Sequence, residues 1–263
     1  MVFLRRHIVL VFFGLTYLIS WGSWIWVDST RQDLIGLGVL VVLLGFFGPC
    51  LSGFVCTGIV EGREGVKELL RRIVAWRVSG KAYLFAIFVP FLFSFLPLVL
   101  FSLMGGSPPR LDNLFRIVEL LPIFIVTLFI GGLSEEPGWR GFALPILRKR
   151  HGRVSASLIV GIFWGAWHIP LYTVGTAIPV ASLIGFIILT TIISILFTAL
   201  ADLSQDSVLL AIVFHATYNT FISNLTGLLE VPPAAQHQML AVLLVVALVF
   251  CVLWWWRRVP RPN

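Results

Sequence analysis

Long runs of apolar residues, separated by short polar intervals, dominate this chain. Windows of roughly 20 apolar residues are long enough for a helix to cross a bilayer. They predict eight spans, at about residues 7–27, 34–60, 82–104, 114–134, 154–170, 181–203, 208–228 and 237–256. Because the runs are continuous and do not alternate, helices are favoured over a β-barrel. The pattern predicts an all-α membrane protein, a polytopic bundle of about eight transmembrane helices forming a single domain over residues 1–263.

The longest polar interval extends from Glu61 to Lys81. Its apolar residues recur at helical spacing with charges between them, at Val66, Leu69, Leu70, Ile73 and Val74. This pattern predicts a helix along the cytoplasmic face of the membrane. We interpret it as a topological anchor in preference to a substrate-docking surface.

The composition supports a membrane protein. Hydrophobic residues make up 59% of the chain, the mean hydropathy is +0.99, and only 12% of residues are charged. A soluble domain would carry about 25% charged residues. The first apolar run lacks a small-residue cleavage pattern, so we expect it to remain as the first helix and not to be removed as a signal peptide.

The net charge of +7 has a topological explanation. When the spans are threaded from an inside N-terminus, only Arg31 and Arg110 fall outside. The inside carries Arg5, Arg6, Arg63, Lys67, Arg71, Arg72, Arg77, Lys81, Arg148, Lys149, Arg150, Arg153, Arg257, Arg258 and Arg261. The asymmetry predicts a multi-pass protein with both termini cytoplasmic, and it argues against a nucleic-acid partner.

Two adjacent acidic residues, Glu135 and Glu136, lie inside a hydrophobic stretch. A carboxylate at bilayer depth costs roughly 3 kcal/mol, so the pair indicates a buried polar site. Arg140 follows Glu136 at i+4, which predicts a salt bridge that leaves Glu135 on a neighbouring face. Pro137 and Gly138 predict a kink that opens room for water.

Three polar residues on later hydrophobic segments reach a similar depth. His168 follows Arg153 by 15 residues and Glu135 precedes Arg148 by 13, so both lie roughly 20 Å above the cytoplasmic face. His215 lies about 13 Å up its own helix. Asn219 shares its face one turn deeper. We expect these groups to meet, whereas Asp202 and Asp206 close a helix at the inner interface as caps or solvated charges.

These residues resemble three motifs of one family. Glu135-Glu136-x-x-x-Arg140, an aromatic-x-x-x-His ending at His168, and His215-x-x-x-Asn219 occur in that order over about residues 110–225. The set is similar to the CPBP family, which comprises the type II CAAX prenyl endopeptidases and their bacterial relatives and is also called the Abi family. One departure is Trp164, where the family commonly has Phe.

The resemblance implies an intramembrane endopeptidase with the site inside the bundle. Glu135 would act as general base, with His168 activating the same water. His215 and Asn219 would form the oxyanion hole, and Glu136 and Arg140 would orient the site and balance its charge. The residue types permit this chemistry, since hydrolysis needs a deprotonated water, a polarised carbonyl and a proton for the leaving amine.

A zinc site competes with this interpretation, because two histidines and a carboxylate can also bind a hydrolytic metal. Its ligands would be Glu135, His168 and His215. We favour a mechanism without a cofactor, because the His-Glu-x-x-His spacing is absent. The cysteines also lack metal-type spacing, and we expect inert packing roles for Cys50, Cys56 and Cys251.

The expected partners are the lipid bilayer and a membrane-associated peptide or protein substrate, prenylated, CAAX-like or bacteriocin-type. Short loops and an embedded body favour the cytoplasmic membrane of a bacterium or archaeon. The alternative function is a non-catalytic membrane scaffold or bacteriocin-immunity protein that keeps the polar cluster for structure. A transporter is a third hypothesis, because intramembrane acids also mark proton relays.

Overall fold

The computed structural model describes residues 6–30, 36–106, 108–173 and 180–229, and the described residues form helices and no strands. The all-α prediction is confirmed. Within these described residues, five helices are long and apolar enough to cross a membrane, or six if one bent pair forms a single span. The predicted span at 237–256, the C-terminal basic residues and Cys251 lie outside the described residues.

The described part of the first half forms four helices. They are α1 (Ile8–Thr30), α2 (Leu37–Phe46), α3 (Gly48–Ile73) and α4 (Gly80–Leu103). The span predicted over 34–60 is not one straight helix, since α2 and α3 meet at 56°. Pro49 lies in the first turn of α3, where a proline is tolerated, so the chain starts a new helix there. Hydropathy alone does not detect such a bend, because both arms are apolar.

The polar interval after residue 60 is helical, as predicted, but it continues α3. Gly62 interrupts this helix with φ 66° and ψ −157°, and α3 ends at Ile73. Ser79 then caps α4, where its Oγ accepts a hydrogen bond from the Ala82 N–H at 3.3 Å.

The second half carries the polar motifs on an irregular path. It contains a 3₁₀ segment (Leu111–Leu120), α5 (Leu121–Thr127), a first π segment (Leu128–Leu133), α6 (Ser134–Glu136), a second π segment (Pro137–Ala143), α7 (Leu144–Trp167), α8 (Ile169–Thr173), α9 (Val180–Ser204) and α10 (Val208–Leu228). Ser207 caps α10 through the Leu210 N–H at 3.3 Å.

Close packing around α7 holds the second motif in place. The Tyr17 hydroxyl of α1 donates to the Phe163 carbonyl at 2.6 Å, and the Trp21 indole donates to the Trp167 carbonyl at 2.9 Å. On the other side α9 packs along α7. Because these contacts flank residue 168 and its preceding turn, they orient the end of α7 that carries the motif.

Two glycines allow the first motif to pack closely against α3. A Cβ added to Gly53 would come within 2.8 Å of the Gly138 Cα, and one added to Gly138 would collide with the Pro49 carbonyl. Small residues allow helices to approach closely in membranes. On the outer surface, by contrast, large apolar side chains are exposed, as expected of lipid-facing positions, and include Leu18, Leu40, Val55, Phe88, Phe115 and Phe129.

Candidate active site

The helix that carries the first motif is interrupted just before its glutamates. Ile130 has φ −100° and ψ 100°, and Gly131 has φ 116° and ψ −73°, a conformation that favours glycine. The Gly131 N–H donates to Ser134 Oγ at 2.9 Å. The kink predicted at Pro137 is wrong, because Pro137 has helical φ −58° and ψ −34° and starts the second π segment.

Gly131 also keeps a space open beside the later motifs. A Cβ added to it would lie 3.1 Å from Asn219 Nδ2 and 3.3 Å from His215 Nε2. The polar atoms of α10 therefore face the break in the first motif across a gap that a larger residue would fill.

Glu136 forms the predicted salt bridge and a further contact with the third motif. Arg140 Nη1 lies 3.0 Å from Glu136 Oε1, and the two side chains are 3% and 0% exposed. This pair is confirmed. His215 Nδ1 approaches the same oxygen at 2.6 Å, a contact that the sequence analysis missed. Since a carboxylate accepts, the hydrogen lies on Nδ1 when Glu136 is ionised, and Nε2 then faces Glu135 Oε1 at 4.0 Å.

Glu135 and His168 meet through Trp164. The Trp164 indole N–H donates to Glu135 Oε2 at 2.6 Å, and the Trp164 carbonyl lies 2.8 Å from His168 Nδ1. A carbonyl can only accept, so Nδ1 carries hydrogen and the Nε2 of a neutral ring can accept a hydrogen from water. The sequence analysis recorded Trp164 only as a departure from the family's usual Phe and missed its contact with Glu135.

Arg140 lies between aromatic rings as well as beside Glu136. Its Cζ is 4.3 Å from the centroid of Trp164 and 3.7 Å from that of Phe197. Its Nε and Nη2 have no hydrogen-bond partner among the described residues. The faces of the two rings therefore stabilise the buried guanidinium where acceptors are missing.

A cavity of about 560 Å³ connects the motifs. Glu135, His168, His215 and Asn219 all line it, whereas Glu136 and Arg140 are not among its lining residues. Much of the remaining lining is apolar, and includes Phe46, Ile123, Phe186, Leu189, Ile193 and Ile222. The structure thus brings four of the predicted site residues to one cavity and places the other two behind them.

Asp202 and Asp206 form ion pairs, so the interpretation of Asp202 as a cap or solvated charge is wrong, whereas Asp206 is 42% exposed. Arg148 binds both carboxylates at 2.7 Å, and Arg153 Nε lies 3.5 Å from Asp202 Oδ2. Asp202 is only 5% exposed. The helix cap that follows is provided by Ser207 instead.

Arg72 forms hydrogen bonds both to Asp206 and to the first motif. Its guanidinium donates to the carbonyls of Asp206 at 2.9 Å, Gly141 at 2.8 Å and Arg140 at 3.3 Å. A π segment widens the helix, and Arg72 satisfies two of the carbonyls at its end. From the sequence, Arg72 is only one of the basic residues that predict the cytoplasmic face.

A zinc site would need several ligands that lie close together. Within residues 6–30, 36–106, 108–173 and 180–229, no three His, Cys, Asp or Glu side chains are grouped so that they could hold a metal ion. The two described cysteines, Cys50 and Cys56, are free and buried in α3.

The helices and the buried carboxylate–histidine cluster define a polytopic membrane protein with a polar site inside its bundle. Residues 117–221 match the family model of the Rce1-like type II CAAX prenyl endopeptidases. The chain is also 24% identical over 224 residues, 79% of each chain, to CAAX prenyl protease 2 of Methanococcus maripaludis. Both matches support the CPBP family that the motifs predicted, and they support an intramembrane endopeptidase.

Proposed function

We propose that this protein is a glutamate-type endopeptidase that hydrolyses a peptide bond of a membrane-associated substrate without a metal ion. One observation carries the proposal. Glu135, His168, His215 and Asn219 line a single cavity, and Glu136 and Arg140 support them from behind. This arrangement separates groups that can touch a substrate from groups that hold them.

Glu135 and His168 would activate the water. The Trp164 indole donates to Glu135 Oε2, which leaves Oε1 for a water. The Trp164 carbonyl accepts from His168 Nδ1, so His168 Nε2 can accept a hydrogen from the same water. A water held by these two groups would lose a proton to Glu135 as its oxygen attacks the scissile carbonyl carbon. When the C–N bond breaks, Glu135 returns that proton to the leaving amine.

His215 and Asn219 would stabilise the oxyanion. A donor at His215 Nε2 requires a ring that carries both protons, because Nδ1 donates to Glu136 at 2.6 Å. The charges then balance: two carboxylates, Glu135 and Glu136, face the Arg140 guanidinium and one imidazolium. A neutral cluster is the least costly arrangement for buried charges. Gly131 leaves the space beside both donors open.

The zinc alternative would use Glu135, His168 and His215. A bound zinc ion would supply an activated water and a polarised carbonyl. Among the described residues, no three His, Cys, Asp or Glu side chains are grouped so that they could hold a metal ion. Metal analysis of the purified protein and its activity with a chelator separate the two mechanisms.

The apolar lining of the cavity suits a substrate with a lipid or an apolar segment. A relative named CAAX prenyl protease 2 supports a prenylated or CAAX-like peptide, and a bacteriocin-type peptide has the same membrane association. We propose the cytoplasmic membrane of a prokaryote as the location, in keeping with the archaeal relative.

A comparison of peptides tests this function. Membranes that contain the wild type should release peptides that are absent with Glu135→Ala. Glu64→Ala is the matched control, because it removes a carboxylate that is 74% exposed and pairs only with the surface residue Lys67 among the described contacts. Identical peptide sets for wild type and Glu135→Ala would contradict a protease and favour the non-catalytic scaffold.

The proposed orientation gives a second test. The Arg110 N–H donates to the Leu229 carbonyl at 3.0 Å, so the start of the 3₁₀ segment and the end of α10 lie at one end of the bundle. Arg148, bound to Asp202 and Asp206, lies at the opposite end of α10. These opposite positions of Arg110 and Arg148 support the membrane orientation that the distribution of basic residues predicts.

Reporter fusions after Lys81, Arg153 and Asn263 should report a cytoplasmic location, and fusions near Arg110 and Glu230 an external one. Asn263 and Glu230 lie outside the described residues. A cytoplasmic signal near Arg110 would contradict the proposed topology.

A further inference from the structure

Trp164 contacts four ionisable side chains of the site, which are Glu135, Arg140, His168 and His215. Its indole N–H donates to Glu135, and its ring face lies under the Arg140 guanidinium at 4.3 Å. Its ring centroid is 5.8 Å from that of His168 and 5.5 Å from that of His215, both in edge contacts. The side chain is only 3% exposed. Trp164 thus connects groups that come from three different parts of the chain.

Two other buried tryptophans show that this bond is not a requirement of burial. Trp139 and Trp167 are both 0% exposed, and neither indole N–H has a hydrogen-bond partner among the described residues. The fold therefore tolerates a buried indole without an acceptor. The 2.6 Å bond from Trp164 to the Glu135 carboxyl group is short for an N–H donor.

We propose that Trp164 is a positioning residue that holds the carboxylate of Glu135 for its work on water. This inference rests on the proposed function of Glu135 as general base. The indole binds Oε2 and turns Oε1 toward His215 Nε2, 4.0 Å away. The two glutamates therefore have different donors. Trp164 donates to Glu135, whereas Arg140, which stacks on the Trp164 ring, pairs with Glu136.

The choice of a neutral donor matters for a base. A guanidinium in direct contact would favour the ionised carboxylate strongly and make it a poorer proton acceptor. An indole N–H fixes the orientation of the carboxylate and adds no positive charge. Trp164 therefore orients Glu135 without adding a charge, whereas Glu136 is held by Arg140 at 3.0 Å and His215 at 2.6 Å.

Trp164→Phe tests this role, because phenylalanine keeps a ring against Arg140 and removes the donor. We expect kcat for a cleaved peptide to fall by about ten- to a hundredfold, the effect of one hydrogen bond to a charged group. KM should stay within about twofold, since the apolar wall is kept. Trp139→Phe, which removes an indole that has no acceptor among the described residues, should leave kcat within about twofold of wild type.

A spectroscopic measurement tests the bond itself. The ultraviolet resonance Raman difference between wild type and Trp164→Phe isolates one of ten indoles and reports the hydrogen bonding of its N–H. It should show a strong hydrogen bond, and the same difference taken in a Glu135→Ala background should show a weak one.

The outcomes separate this proposal from the proposed function. If Glu135→Gln is inactive while Trp164→Phe keeps the wild-type kcat, Trp164 is not a positioning residue and the protease stands. An indole band that is unchanged by Glu135→Ala would also overturn the proposal. If wild type and Glu135→Gln cleave equally, the proposed function itself is wrong, whereas the Raman comparison still tests the bond.

Discussion

Glu135→Gln should reduce peptide cleavage by about 10⁴-fold, the upper range for loss of a general base, in a protein that still folds and inserts. The glutamine carbonyl can still accept the Trp164 hydrogen bond, so the local structure is kept. The amide, however, cannot take a proton from water. His168→Ala should be equally inactive, because the water loses its second partner. Cleavage by purified protein in liposomes measures both effects, with thermal unfolding as the control for folding.

Asn219→Ala should reduce peptide cleavage less than Glu135→Gln or His168→Ala. Loss of one oxyanion donor typically costs about 10²- to 10³-fold in turnover while the remaining groups still act. Asn219 lines the cavity, and its Nδ2 lies beside the space that Gly131 leaves open. We therefore expect measurable residual cleavage with Asn219→Ala and none above background with Glu135→Gln.

Several results would contradict this assignment. If Asn219→Ala were as inactive as Glu135→Gln, the division between base and oxyanion hole would be wrong. If a chelator removed the activity and zinc restored it, the metal-free mechanism would have to be abandoned. If all three variants kept the cellular function, a non-catalytic scaffold would explain the polar cluster better.

The residues of the site could be predicted from sequence because their signals are local. Buried charges stand out within apolar runs, and i+4 spacing on a helix pairs Glu136 with Arg140. Counting residues from the basic clusters also placed Glu135 and His168 at the same depth. Each of these steps uses only distance along one helix.

The contacts between helices could not be predicted in the same way. The bond from Trp164 to Glu135 depends on how α7 is rotated against the first motif, and an aromatic residue in an apolar run signals only packing. The bond from His215 to Glu136 joins residues 79 positions apart. Sequence periodicity contains no information about either rotation.

The break before the glutamates was missed for a different reason. Pro137 is the stronger breaker in a sequence, but a proline in the first turn of a helical segment fits without a kink. Gly131 is compatible with a helix, and only its positive φ reveals the break. The bend between α2 and α3 escaped for a similar reason, since apolar residues continue through it.

Arg140→Ala and Glu136→Gln should both destabilise the protein, by about 3–5 kcal/mol of unfolding free energy, because each leaves an uncompensated buried charge. Glu136→Gln should cost at least as much as Arg140→Ala. Its Oε1 contacts both Arg140 at 3.0 Å and His215 at 2.6 Å, so the substitution weakens two contacts at once. Thermal and denaturant unfolding of purified protein measure the effect.

The two substitutions should also be coupled. In the double variant Glu136→Gln/Arg140→Ala neither partner of the salt bridge is charged, so the combined loss should be smaller than the sum of the single losses. Glu64→Gln is the matched control, because its bridge to Lys67 is exposed and should contribute no measurable stability. Single variants as stable as wild type would mean that water solvates the Glu136–Arg140 pair. Strictly additive losses would mean that the two charges do not support each other, and that the aromatic faces of Trp164 and Phe197 stabilise Arg140 by themselves.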